Sequence, residues 1–161
     1  MTSWTTWRGH AVLGMLARVY LGLVFVVACL HKIAEPASFA MDIATYQLLP
    51  LPLINLLAIT LPWVELVAGL LLILGLRVRG AALLVAGMMV LFIAALGWAL
   101  ASDLTMSCGC FASQGVKADP ISHWTLLRDL GWLVLSVYVL LLDRHPLGLD
   151  HLLAPRAQEA S

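Results

Sequence analysis

Two thiols one residue apart, Cys108 and Cys110, stand in the segment Ser107-Cys108-Gly109-Cys110-Phe111, between two long apolar runs. A pair this close either closes as a disulfide or holds a soft metal. Gly109 gives the intervening backbone the freedom that a small disulfide ring demands. Such a ring is strained, and strain makes a disulfide easier to reduce. The expected chemistry is a dithiol/disulfide couple, with two inert loop cysteines as the plainer alternative. A structural zinc site takes four nitrogen or sulfur ligands. Beside the two thiols the sequence offers His123, so zinc is under-supplied and no metal is expected.

The third cysteine, Cys29, precedes His31 and Lys32. Residues 29 and 32 share a helix face, which puts an ammonium near the thiol. Cys29 is therefore a candidate catalytic thiol beside Cys108 and Cys110. A small buried apolar residue is the alternative. Arg18 and Glu65 interrupt apolar segments at similar distances from the segment ends. A structural ion pair between them is expected, and proton handling by Glu65 is the alternative. Arg128 follows the cysteine loop, two turns into the last apolar segment. A guanidinium at that depth suits a quinone oxygen or a thiolate. The alternative is a packing ion pair with Glu65 or Asp103. His123 opens the same segment, where it can shuttle a proton. Arg128, Lys32 and His123 are the expected cofactor-binding residues, for ubiquinone or menaquinone.

Composition says what carries these groups. The chain has 161 residues, 62% hydrophobic and 11% charged, with a mean hydropathy of +0.98. A soluble domain is about 45–50% apolar and about 25% charged. The chain is therefore expected to be a single membrane domain over 1–161. Formal net charge is zero, so no basic surface points to nucleic acid. Val26-Val27-Ala28-Cys29 has the outline of a lipoprotein cleavage box, but Arg18 interrupts the apolar stretch before it.

Four segments are long and apolar enough to span the hydrocarbon layer, at about 11–33, 53–76, 81–101 and 121–142. Trp4, Trp7 and Arg8 precede the first and suit an interface. Phe39 to Leu49 has the periodicity of a short helix lying at the membrane surface. The fold class is thus an all-α membrane protein, a four-transmembrane-helix bundle. An even number of spans puts both termini on one side. Arg8, Arg77, Arg79, Arg144 and Arg156 fall on that side, so both termini are expected in the cytoplasm. The loop 102–120, with its two cysteines, then faces the periplasm of a bacterial inner membrane, the oxidising side. Gly69, Gly75, Gly87 and Gly97 are expected to let helices approach closely.

Several of these elements occur together. Lys32 closes the first span, Tyr46-Gln47-Leu48-Leu49-Pro50 ends the surface segment, and Leu61-Pro62-Trp63-Val64-Glu65-Leu66 lies in the second span. Cys108-Gly109-Cys110-Phe111 precedes the fourth. With this set, over roughly residues 14–142, the chain resembles the MauE/DoxX family of redox-associated membrane proteins. The family pattern continues Cys-Gly-Cys-Phe-Gly, and Ala112 stands at the last position here. The resemblance implies a role beside a periplasmic thioredoxin-like protein in disulfide formation or thiol redox maturation. It carries to Lys32, Glu65, Cys108 and Cys110.

The function expected is an inner-membrane thiol–disulfide redox protein that exchanges electrons between periplasmic thiol partners and the quinone pool. A soft-metal or metalloid transporter, with Met88 and Met89 as the soft groups inside the bundle, is one alternative. A non-catalytic membrane anchor for a periplasmic redox enzyme is another.

Overall fold

A computed structural model describes residues 8–102 and 122–142. Five helices follow one another: α1 (Arg8–Ala34), α2 (Pro36–Thr45), α3 (Leu51–Leu74), α4 (Val78–Ala101) and α5 (His123–Leu142). Among the described residues there is no strand. The helices α1, α3, α4 and α5 are each long and apolar enough to cross a membrane. The four-span, all-helical plan expected from the sequence is the one observed.

The buried positions of α1 explain its placement. Gly14, Arg18, Leu21, Gly22, Phe25, Cys29 and Lys32 are buried, a three- and four-residue recurrence that makes one helix face. The other faces expose Leu16, Tyr20, Leu23, Val27 and Leu30. Polar groups are inside instead: Arg18, Lys32, Glu65, Thr125, Asp129 and Ser136 are all buried. Apolar outside with polar inside is the inversion a bilayer imposes, because lipid solvates leucine and cannot solvate a charge.

Two glycines set how α1 meets α3. A Cβ at Gly22 would stand 2.7 Å from the Gly69 carbonyl oxygen, and one at Gly69 would stand 2.9 Å from the Gly22 carbonyl oxygen. The backbones touch there, which small residues alone permit. Of the glycines expected to pack closely, Gly69 does so. Gly87 and Gly97 have nothing within 4 Å of an added Cβ. Gly75 serves differently, capping α3 in the left-handed region at φ 70°.

The bundle closes as a ring in which α1 packs chiefly on α3, α4 chiefly on α5, α3 on α4 and α5 on α1, with α2 laid against α3. Its dry core gathers towards the short α3–α4 turn. There Leu21, Phe25, Ala68 and Leu72 pack against Ala81, Ala82 and Val85, with Val139 from α5. At the opposite end, from which the cysteine-bearing loop leaves, a small second cluster joins Tyr46 to Ala99.

Helix ends differ from expectation in informative ways. The surface helix begins at Pro36, because proline at a first-turn position costs no hydrogen bond. It ends by Tyr46, since Gln47 turns left-handed at φ 53°. α4 begins at Val78, so Gly80 lies within the helix and the turn is tighter than expected. Arg77 takes φ 44° to make it.

Candidate functional site at the loop end of the bundle

Lys32 closes the buried face of α1, and Glu65 sits mid-way along α3. Lys32 Nζ donates to both Glu65 carboxylate oxygens, at 2.8 and 2.9 Å. Both side chains are about nine-tenths buried. The two helices are antiparallel, and helical side chains tilt towards the helix N-terminus. Lys32 therefore leans into the bundle, while Glu65 leans out towards the loop end. Their tilts converge. The Phe39 ring of α2 lies 4.9 Å from Lys32 Nζ, so an aromatic face adds a favourable contact to the ammonium.

This corrects the Arg18–Glu65 pair. Arg18 lies four residues from Gly22 towards the turn end, and Glu65 lies four residues from Gly69 towards the loop end. The glycine contact fixes the register, so the two charges are separated by about 12 Å along the helix axes. Their side chains also tilt apart. Equal distance from the segment ends suggested the same depth, but the register of the crossing decides otherwise.

Beside the Lys32–Glu65 pair is a cavity of about 410 Å³. Its wall holds four polar side chains: Lys32, Glu65, Tyr46 and Asp129. Five aromatic rings line it, from Phe25, Phe39, Tyr46, Phe92 and Trp132. Three of the chain's four phenylalanines are among them. The rest of the wall is aliphatic, with Met88 and Met89 from α4. Burial pushes the Tyr46 phenol up from its ordinary value, and the Asp42 and Asp129 carboxylates push it further. Tyr46 is therefore a neutral hydroxyl at any physiological pH.

Asp129 is fully buried. Its Oδ1 accepts from Arg128 Nε at 3.2 Å, and the Arg128 guanidinium stacks 4.9 Å from the Trp132 ring. The expected alternatives for Arg128 were Glu65 and Asp103. Glu65 is taken by Lys32, Asp103 lies outside the described residues, and Arg128 instead bends back onto its own neighbour. Arg128 is not in the cavity wall, although Asp129 and Trp132 are. His123 is exposed at the first residue of α5 and is not in the wall. Cys29 is fully buried, and its thiol donates to the Val26 carbonyl at 3.1 Å. Cys29 is not in the cavity wall, although Ala28 and Lys32 are. Cys108 and Cys110 lie outside the described residues.

Of the expected binding residues the structure thus brings Lys32 to the cavity and leaves Arg128 and His123 outside it. It adds Tyr46, Asp129, Phe39 and Trp132. Asp129 carried a signal in the sequence, because an ionisable residue inside a span marks a functional position by default. Phe39 and Trp132 carried none, since aromatic residues near membrane surfaces are ordinary.

The family described as methylamine utilisation protein MauE matches this chain over residues 10–142. The methylamine utilization protein MauE of Paracoccus denitrificans is 32% identical over 114 residues, which cover 70% of this chain and 60% of that protein. That of Methylophilus methylotrophus is 32% identical over 127 residues, covering 78% of this chain and 66% of that protein. The chain thus spans somewhat under two thirds of the length of the curated relatives it matches. No solved structure matches it. With its spans, its Lys32–Glu65 pair and its cavity all inside the matched residues, the chain belongs to the MauE family.

Proposed function

We propose that this protein is a thiol–disulfide redox component of the bacterial inner membrane, exchanging electrons between a periplasmic thioredoxin-like partner and the quinone pool through Cys108 and Cys110. The two curated relatives are named for methylamine utilisation. We extend that setting to this chain, as a membrane accessory to a periplasmic enzyme system. Both termini lie in the cytoplasm on this reading, which rests on the arginine bias of the termini and the α3–α4 turn.

The observation that carries the reading is the position of the cavity. It lies at the end of the bundle where α4 stops at Ala101 and α5 starts at His123, so the segment holding Cys108 and Cys110 is tethered there at both ends. The residues present suit a quinone. A ring with two oxygens needs polar groups at its edge and aromatic walls at its faces, and Lys32 and Tyr46 stand in the cavity wall among the aromatic rings. When bound, a quinone would supply the sink for two electrons and two protons.

The protein's own part is thiol exchange. A partner thiolate attacks one sulfur of the Cys108–Cys110 disulfide, breaking that S–S bond and forming a mixed disulfide. The partner's second thiol attacks the mixed disulfide and leaves the partner oxidised, with Cys108 and Cys110 as thiols. Re-forming their disulfide gives up two electrons and two protons, for which a bound quinone would be the acceptor. The reverse flow uses the same bonds in the opposite order. A soft-metal carrier is the weaker reading, because Met88 and Met89 share their cavity with the Lys32 ammonium, which repels a cation.

The test is a redox titration of the purified protein with added quinone. A reversible two-electron thiol couple that reduces quinone, lost in Cys108→Ser, is the expected result. Cys110→Ser or Cys108→Ser should also trap a mixed disulfide with the partner. Thiols that stay reduced at every potential, or a couple unchanged in both serine variants, overturn the proposal.

A further inference from the structure

The geometry points to a specific seat for a lipid-soluble ligand: its oxygen-bearing ring lies in the Lys32–Glu65 cavity, and its apolar tail leaves sideways between α3 and α4. The choice of a quinone as that ligand rests on the function proposed above; the seat itself rests on the cavity.

Three observations carry it. The first is the donor. Lys32 Nζ has three hydrogens, and two are committed to Glu65. The ammonium lies beside the Phe39 ring, and the Lys32 side chain lines the cavity. A ring oxygen entering the cavity meets an ammonium already fixed in place, so binding requires no new ordering of a flexible lysine. Tyr46 and Asp129 bring a neutral hydroxyl and a carboxylate to the same wall.

The second is the wall. Phe25 and Phe39 stand with Phe92 and Trp132 around a space large enough for a substituted six-membered ring. Ligand sites are usually apolar cavities of about 300–1,000 Å³ with a few convergent polar groups, and this one has that form.

The third is the opening. Near the turn, α3 and α4 are held together by Leu72, Ala81, Ala82 and Val85. Farther along, Leu57 and Leu61 of α3 and Leu91 of α4 line the cavity instead. Leu91 is also 74% exposed on the outer surface, and Leu48 is 46% exposed. A side chain that lines a cavity and faces lipid marks where the two communicate. The opening is therefore lateral, into the hydrocarbon layer. Towards the loop end, Tyr46 packs on Ala99.

The test uses decylubiquinone and its tail-less analogue ubiquinone-0, titrated into the full-length protein with tryptophan quenching as the readout. The double variant Lys32→Met/Glu65→Gln removes both charges and strands neither; it should weaken both probes at least tenfold. Ala28→Phe fills the cavity without touching a charge and should do the same. Leu61→Trp narrows the opening and should weaken decylubiquinone several-fold more than ubiquinone-0. Cys108→Ser/Cys110→Ser should bind both probes as the native protein does. Unchanged affinity in Ala28→Phe overturns the seat, even if the thiols reduce quinone. Binding that falls in Ala28→Phe while the thiols never oxidise keeps the seat and overturns the redox function. Equal losses of both probes in Leu61→Trp overturn the lateral exit.

Discussion

Lys32 Nζ lies between the two carboxylate oxygens of Glu65, 33 residues away, at 2.8 and 2.9 Å, and the pair bridges α1 to α3 inside the bundle. Removing one partner strands a buried charge, which costs about 3–5 kcal/mol. Lys32→Met and Glu65→Leu should each destabilise by that order. The double variant Lys32→Met/Glu65→Leu should recover most of the loss, since no charge is then left alone. Reversible unfolding in mixed micelles measures all three. Additive losses in the double variant would show that the two residues do not act as a pair.

The Gly22–Gly69 contact predicts an asymmetry among the glycines. Gly22→Ala and Gly69→Ala each drive a Cβ into a facing backbone oxygen under 3.0 Å away, so the helices must part. A loss of about 1–3 kcal/mol is expected for each. Gly87→Ala and Gly97→Ala meet open space and should stabilise by about 0.5–1 kcal/mol, because a mid-helix glycine is entropically unfavourable. Thermal unfolding of the four variants checks the ordering. A stable Gly69→Ala protein would mean that α1 and α3 cross elsewhere.

Arg77 holds φ 44° and ψ 41° between α3 and α4. That conformation costs a residue with a Cβ about 1–2 kcal/mol. Arg77→Gly should therefore raise stability by about 1 kcal/mol, whereas Arg77→Ala keeps the strain and should not. The comparison separates backbone strain from the loss of a charge, which both variants share.

Cys29 is fully buried, so a membrane-permeant maleimide should fail to label it in the folded protein. In a variant with serine at both 108 and 110, labelling should appear only on unfolding. Rapid labelling in the native state would show that Cys29 is reachable and would support a place for it in the exchange chemistry. A Cys29→Ala variant with native thiol titration would place it in packing.

Apolar runs of span length, their arginine bias and the Cys-Gly-Cys segment are all local, and they were legible along the chain. They determined the number of spans, the all-helical class and the family to which the chain belongs. Glu65 was legible as a residue out of place in an apolar run, because a charge in lipid asks for a partner, and Lys32 as the residue that closes the first span. Which partner each found was not legible. Counting from segment ends paired Glu65 with Arg18, whereas the observed pairing depends on where two glycines let two backbones touch and on the direction in which antiparallel side chains tilt. Those are properties of a crossing between residues dozens of positions apart. The same holds for the cavity. Phe39 and Tyr46 come from one stretch of chain and Asp129 and Trp132 from another, with nothing in the spacing to join the two. The bundle makes them neighbours because α3 and α4 pack tightly on alanines near their turn and leave room beside Lys32 at the other end.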